Sequence, residues 1–210
     1  MTAPAPRPYR LPTLLAHAAG LASRAHLLVD VFARQALTPA RREAVMLGVA
    51  WANGCRYCAF VHGQWARKAG MPEADARAIE EGRFDDLEPD LALAVRYARA
   101  LADADFGPVD DTLFGQVDAR FGADGRAALE ATARFMTLAN RSGNTLDALL
   151  DRLHGHPLPG STLASDLAIG LPAAAVVPIV GAFLAPWFGR TPWAFAREFG
   201  AFSKGFRPGR

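Results

Sequence analysis

The segment Cys55-Arg56-Tyr57-Cys58-Ala59-Phe60-Val61-His62 holds both cysteines of this 210-residue chain. Two thiols separated by two residues can cycle between dithiol and disulfide, and the thiolate is the form that attacks an electrophile. On a helix beginning at Cys55, a turn of about 100° per residue brings Cys55, Cys58 and His62 into one stripe on one face. Both cysteines then occupy the first turn, beside unpaired backbone N–H groups and the positive end of the helix dipole. That placement favours thiolate and predicts a Cys58 pKa below the free value of ~8.5.

Depth along the preceding helix adds Glu43. It lies about ten residues before the Asn53-Gly54 turn and His62 about nine after it, so an antiparallel hairpin rising ~1.5 Å per residue puts both roughly 13–16 Å from the turn. Cys58 falls only ~7 Å beyond the turn, too far from Glu43 for direct contact but within one helical turn of His62. The geometry predicts a relay from Glu43 to His62 to Cys58.

These groups need helices to hold them, and the chain supplies helical signals throughout. Leu14, Leu15, Leu21, Leu27, Leu28, Val31 and Phe32 recur at loosely helical spacing between Leu11 and Ala36. Thr38-Pro39 reads as an N-cap followed by proline in the first turn, and Asn53-Gly54 as a stop, giving a helix over Pro39 to Ala52. The next run, from Cys55 to Lys68, stops at Gly70, and Pro72 opens another helix reaching Glu81. Further helices are expected near Asp90 to Ala104 and Val109 to Phe121. A longer one spans Gly125 to Leu153, bent or interrupted around Arg141 to Asn144, where helix-poor residues gather. No strand alternation is visible, so the fold class is all-α.

After His154 the character changes. Gly155, Pro157, Pro159 and Gly160 read as a linker, and Leu167 to Gly189 is apolar but carries Pro172, Pro178 and Pro186. The expected organisation is a helical domain over 1–154 and a Pro-rich apolar tail over 155–210. The tail has enough apolar residues to span a bilayer and is followed by Arg190, Arg197, Lys204, Arg207 and Arg210. Against insertion, each proline removes a backbone donor and favours a break, and the many Ala and Gly residues lower the hydrophobic drive. The tail is therefore expected to pack on its own domain or around a neighbouring subunit.

Composition narrows the function classes. A content of 51% hydrophobic residues supports a substantial core. A net charge of +2, from 23 basic and 21 acidic residues, lacks the basic footprint of a nucleic-acid binder. Two closely spaced cysteines are not a disulfide framework, and the Pro-rich N-terminus lacks the apolar core of a secretory signal, so a cytoplasmic location is expected.

The stretch LTPARREAVMLGVAWANGCRYCAFVHGQWARKAG, with Glu43, Cys55, Cys58 and His62 at these spacings, resembles the signature of alkylhydroperoxidase D-like proteins. These belong with the carboxymuconolactone decarboxylases. The likeness covers about residues 37–150, extending weakly through Asn140, Arg141 and Asn144. It implies an alkylhydroperoxidase D-like helical fold, assembly as trimers or higher homo-oligomers, and an antioxidant peroxidase of peroxiredoxin type. In that reading Cys58 is the peroxide-attacking thiol, Cys55 the resolving thiol, and Glu43 and His62 move protons. The substrate is a hydroperoxide, an external dithiol restores the pair, and no metal or organic cofactor is required. Tyr57 stands where the peroxidase for which the family is named has a histidine.

Other readings use the same residues. Cys55, Cys58, His62 and Glu43 could ligate zinc, although structural zinc sites more often draw ligands from separated knuckles or loops. The cysteines could be small buried hydrophobes, and Glu43, following Arg41 and Arg42, an exposed ion-paired carboxylate. Thioredoxin-like chemistry would need a βαβ context that is lacking. Two further alternatives are a decarboxylase-like acid–base enzyme using His62 and Glu43, and a non-enzymatic oligomeric module whose cysteines sense oxidation. Trp51, Trp65, Phe60 and Phe135 read as core, and His154 and His156 as loop residues.

Overall fold

A computed structural model describes residues 6–206. Among them every regular element is helical, in the order α1 (Leu11–Ala22), α2 (Ala25–Phe32), α3 (Pro39–Ala52), α4 (Arg56–Lys68), α5 (Glu73–Glu81), α6 (Pro89–Asp103), α7 (Asp111–Leu153), the short α8 (Leu163–Ser165), α9 (Leu171–Leu184) and α10 (Pro192–Gly205). Arg207 and Arg210, expected to flank the tail, lie outside the described residues.

The start and end signals act where the sequence puts them. The Thr38 hydroxyl accepts from the Arg41 N–H at 3.4 Å, and Pro39 stands in the first turn, where its missing donor costs nothing. α3 ends at Asn53 and the chain reverses through Gly54 at a φ of 65°. This reversal is clamped to α7: Asn53 Nδ2 donates to Thr137 Oγ1 at 3.1 Å, and Asn144 Nδ2 donates to the Asn53 carbonyl at 2.7 Å. Both asparagines are fully buried, so these bonds replace those that water would have made.

α3 is the central helix. Its residues from Glu43 to Ala50 are all buried, packed between α4, α6 and α7. One core cluster joins Val45, Met46 and Val49 to Tyr97 of α6 and Leu129 and Met136 of α7. Another joins Leu47 to Ile79 of α5 and Val95 of α6.

α7 follows expectation at one point and departs from it at another. The two predicted helices meet at a kink at Gly122, whose φ of 67° and ψ of 176° suit glycine alone. The interruption expected at Arg141 to Asn144 is absent. Ser142 and Thr145 donate their hydroxyls to the carbonyls of Leu138 and Arg141, and Asn144 reaches Asn53. Residues that compete for backbone bonds in a free helix are here engaged without leaving it, so tertiary contacts outweigh propensity.

The tail is a second correction. Pro172, Pro178 and Pro186 do not break it: Leu163–Phe188 is one continuous helical run, long and apolar enough to cross a membrane, with 11% of its apolar window buried. Pro172 follows a π turn over Asp166–Gly170, whose wider backbone relieves the clash of the proline ring with the preceding turn. Pro186 sits in a closing 3-10 turn, and only Pro178 lies inside α9. The run is docked at its start, where the fully buried Asp166 accepts from Arg152 Nε at 2.7 Å. It is docked again through α10, where Phe195 packs on Phe60 of α4 and on Phe188. Within this chain the tail thus lies against α4 and α7.

Candidate active site

α3 brings Glu43 to the site with its carboxylate buried. Glu43 Oε1 accepts from Arg42 Nε and Nη2 at 3.2 and 3.1 Å, and Oε2 lies 2.8 Å from His62 Nδ1 on α4. The exposed-carboxylate alternative therefore does not describe Glu43, which is 5% exposed. With Glu43 as carboxylate, Nδ1 carries the ring proton and Nε2 becomes the nitrogen available for exchange.

The two cysteines are treated differently by the fold. Cys55 is the N-cap of α4, with extended backbone at φ −94° and ψ 103°, and its side chain is fully buried against α7. Cys58, in the first turn, is half-buried and faces a cleft together with His62. Both cysteines are free thiols. The single stripe expected for Cys55, Cys58 and His62 is thus divided, because Cys55 precedes the helix rather than starting it.

Close approach to α7 depends on Gly143. A Cβ there would meet Cys55 Sγ at 3.1 Å and the Tyr57 ring at 3.2 Å. Any larger residue would push the CxxC segment away from the helix behind it.

The Cys58 thiol departs from the activated state expected at a helix start. Its hydrogen bond with Cys55 and its burial push it well above the ordinary thiol range, and a charge on Cys55 would push it the same way. The helix dipole is present, but its contribution is modest beside the cost of placing an anion next to a second sulfur in a dry setting. Reduced Cys58 therefore rests as a thiol.

A polar cluster beside the thiols has no counterpart in the sequence reading. Asp147 of α7 accepts from the Tyr57 hydroxyl at 2.5 Å and from Arg56 Nη2 at 2.6 Å. Burial raises the Asp147 carboxyl, and burial together with Asp147 raises the Tyr57 hydroxyl, so tyrosinate is disfavoured. Arg56 and Tyr57 are held on α7 by this carboxylate, and they flank the thiols. An Asp between Leu146 and Ala148 on an apolar helix face is the signal that would have pointed to it.

Among the described residues, no group of three or more His, Cys, Asp or Glu is placed to hold a metal ion. The aromatic residues read as core do pack: Phe135 on Phe32, Trp51 on Phe206, and Trp65 on Trp187 and Phe188. Phe60 packs likewise and also lines the cleft. His154 lies outside the site, its Nδ1 2.7 Å from the Leu150 carbonyl.

Residues 19–103 match the model of the carboxymuconolactone decarboxylase family. Over this part the chain is similar to that family, which includes the alkylhydroperoxidase D-like proteins. No curated protein and no solved structure gives a match. The matched segment carries Glu43, Cys55, Cys58 and His62, and the all-helical fold agrees with the family. It begins earlier than the likeness over 37–150 and stops at the end of α6, so α7, α9 and α10, which complete the cleft, lie beyond it.

Proposed function

We propose that the chain is a dithiol peroxidase in which Cys58 attacks a hydroperoxide and Cys55 resolves the product. The observation that carries this reading is the Glu43 Oε2 to His62 Nδ1 contact of 2.8 Å behind a cleft that His62 shares with the half-buried Cys58, while Cys55 is buried behind it. His62 Nε2 accepts the Cys58 proton, directly or through one water, and Glu43 stabilises the imidazolium that forms. Such help matters because the thiol rests protonated.

The balance is complete. The Cys58 thiolate attacks the terminal oxygen of ROOH and the O–O bond breaks. The RO⁻ leaving group takes the proton from His62, leaving ROH and Cys58 sulfenic acid. The Cys55 sulfur then attacks Cys58 Sγ, and the hydroxyl leaves as water with the Cys55 proton. A disulfide forms, two electrons having passed from the thiols to the peroxide. An external dithiol returns the pair to the reduced state. Trimeric or higher assembly and a cytoplasmic setting belong to the same proposal.

A second reading, acid–base chemistry by His62 and Glu43 without thiol participation, is favoured by the upward shift of Cys58. Steady-state consumption of tert-butyl hydroperoxide with dithiothreitol separates the two. Cys58→Ser is expected to abolish turnover, while Cys55→Ser retains one oxidation of Cys58 that dimedone traps as sulfenic acid. Full activity in Cys58→Ser would sink the thiol mechanism.

A further inference from the structure

The cleft beside Cys58 and His62 holds about 1070 Å³, far more than a hydroperoxide group fills. One side is built from α4 and α7, the other from α9 and α10, so helices beyond the family match make most of it. Its lining is apolar apart from Tyr57, Cys58, His62, Ser142 and the indole of Trp193. Tyr57 donates to Asp147 and Ser142 to the Leu138 carbonyl, so their hydroxyl protons are already committed. Cys58 and His62 thus offer the reactive polar contact, and the remaining wall is almost wholly hydrocarbon.

The α9 side has a regular form. Pro172, Ala173, Val176, Val177, Val180 and Gly181 line the cleft as a stripe that repeats every four residues, widened by Pro178 and Ala182. At ~1.5 Å per residue the stripe runs roughly 14 Å along the helix. Phe60, Phe195 and Phe199 belong to the same lining. A long apolar trough without a charged side chain to recognise a headgroup selects for chain rather than for head.

We propose that this trough binds the flexible hydrocarbon chain of a long-chain aliphatic hydroperoxide, laid along α9 with its peroxide group at Cys58 and His62. The chemistry at the peroxide rests on the dithiol peroxidase reading; the binding of the chain does not. Discrimination comes from burial of methylene groups, each worth up to roughly fourfold in affinity, the ~0.8 kcal/mol of hydrophobic transfer converted at room temperature. A small hydroperoxide leaves the trough wet and gains none of it.

The test has a binding arm and a turnover arm. The reduced full-length protein is titrated with cis-parinaric acid, followed by its fluorescence, and the bound label is displaced with oleic acid. Saturable binding is expected, weakened at least tenfold by Ala173→Phe, which fills the trough, and by Val177→Asp, which charges its wall without such bulk. Circular dichroism melts accompany both variants, and Ile179→Ser, on the exposed side of α9, should bind as the parent does. In the second arm, kcat/KM for linoleic acid hydroperoxide should exceed that for tert-butyl hydroperoxide by about a hundredfold. Lack of saturable binding, or equal weakening by Ile179→Ser, would overturn the trough. Saturable, trough-dependent binding with no oxidation of Cys58 by either peroxide would uphold the chain site and overturn the peroxidase reading instead. Equal kcat/KM for the two peroxides would overturn the substrate preference.

Discussion

The α3–α4 hairpin and the α9–α10 pair are both apolar helical units, and they meet across one cleft, yet the fold uses them in opposite ways. α3 is buried along nearly its whole length, and even Glu43 is taken out of water. α9 has no buried residue, and Leu171, Ile179 and Phe183 are more than half exposed. The hairpin can hold a carboxylate and an imidazole at fixed separation because every side of α3 is packed. α9 touches the domain along one stripe and shapes the space in front of the chemistry. Reactivity should therefore depend steeply on the hairpin and only weakly on the outer face of α9.

The largest effect should come from the dyad. Glu43→Gln keeps the shape but loses the charge that stabilises a protonated His62, so peroxide turnover should fall by ~10²–10⁴-fold with the helical spectrum unchanged. A melted variant would make Glu43 a structural group, and unchanged kcat would remove it from the mechanism.

Next comes the protonation of Cys58. Its upward shift means that the thiol form persists above the pH at which a free cysteine ionises. Iodoacetamide labelling at pH 7 should therefore be at least about tenfold slower than that of a free thiol near pKa 8.5, and should rise as pH passes well beyond that value. The stability linkage has the matching sign. A group raised on folding contributes its stability below the unfolded pKa and loses it as pH climbs through the folded one, so the reduced protein should lose stability on the alkaline side. Rapid labelling on a plateau already reached at neutrality would contradict this picture.

Gly143→Ala tests the seat of the CxxC segment on α7. The added methyl would press on Cys55 Sγ and the Tyr57 ring, each little more than 3 Å away. Overpacking of this kind costs ~1–3 kcal/mol, readable in urea unfolding, and should slow resolution by Cys55 more than attack by Cys58. Equal stability and an unaltered disulfide-forming step would show that the contact relaxes freely.

The smallest effect should be at the outer face of α9. Ile179 is 67% exposed, so Ile179→Ser is expected to change unfolding free energy by no more than about 0.5 kcal/mol. A loss of several times that amount in urea unfolding would mean that the outer face is covered in solution, and the contrast with α3 would narrow.

Local chemistry was legible in the linear text because its signals are short-range. Thr38-Pro39 and Asn53-Gly54 bound α3 by capping and left-handed geometry. The rise per residue sufficed to put Glu43 level with His62, since two helices joined by a tight turn leave little freedom in depth. The spacing of Cys55, Cys58 and His62 pointed to the hairpin that the family match contains. Three things were decided only by tertiary structure. Burial and the neighbouring sulfur, neither of which has a sequence signature, turned the expected activated Cys58 into a resting thiol. Contacts between distant segments kept α7 helical through Arg141 to Asn144, where propensity alone favours a break. Docking of Asp166 on Arg152 and of Phe195 on Phe60 folded the proline-bearing tail over the site as helix. Spacing and capping are properties of a few neighbouring residues, whereas dielectric, packing and the far wall of a cleft arise only when segments a hundred residues apart come together.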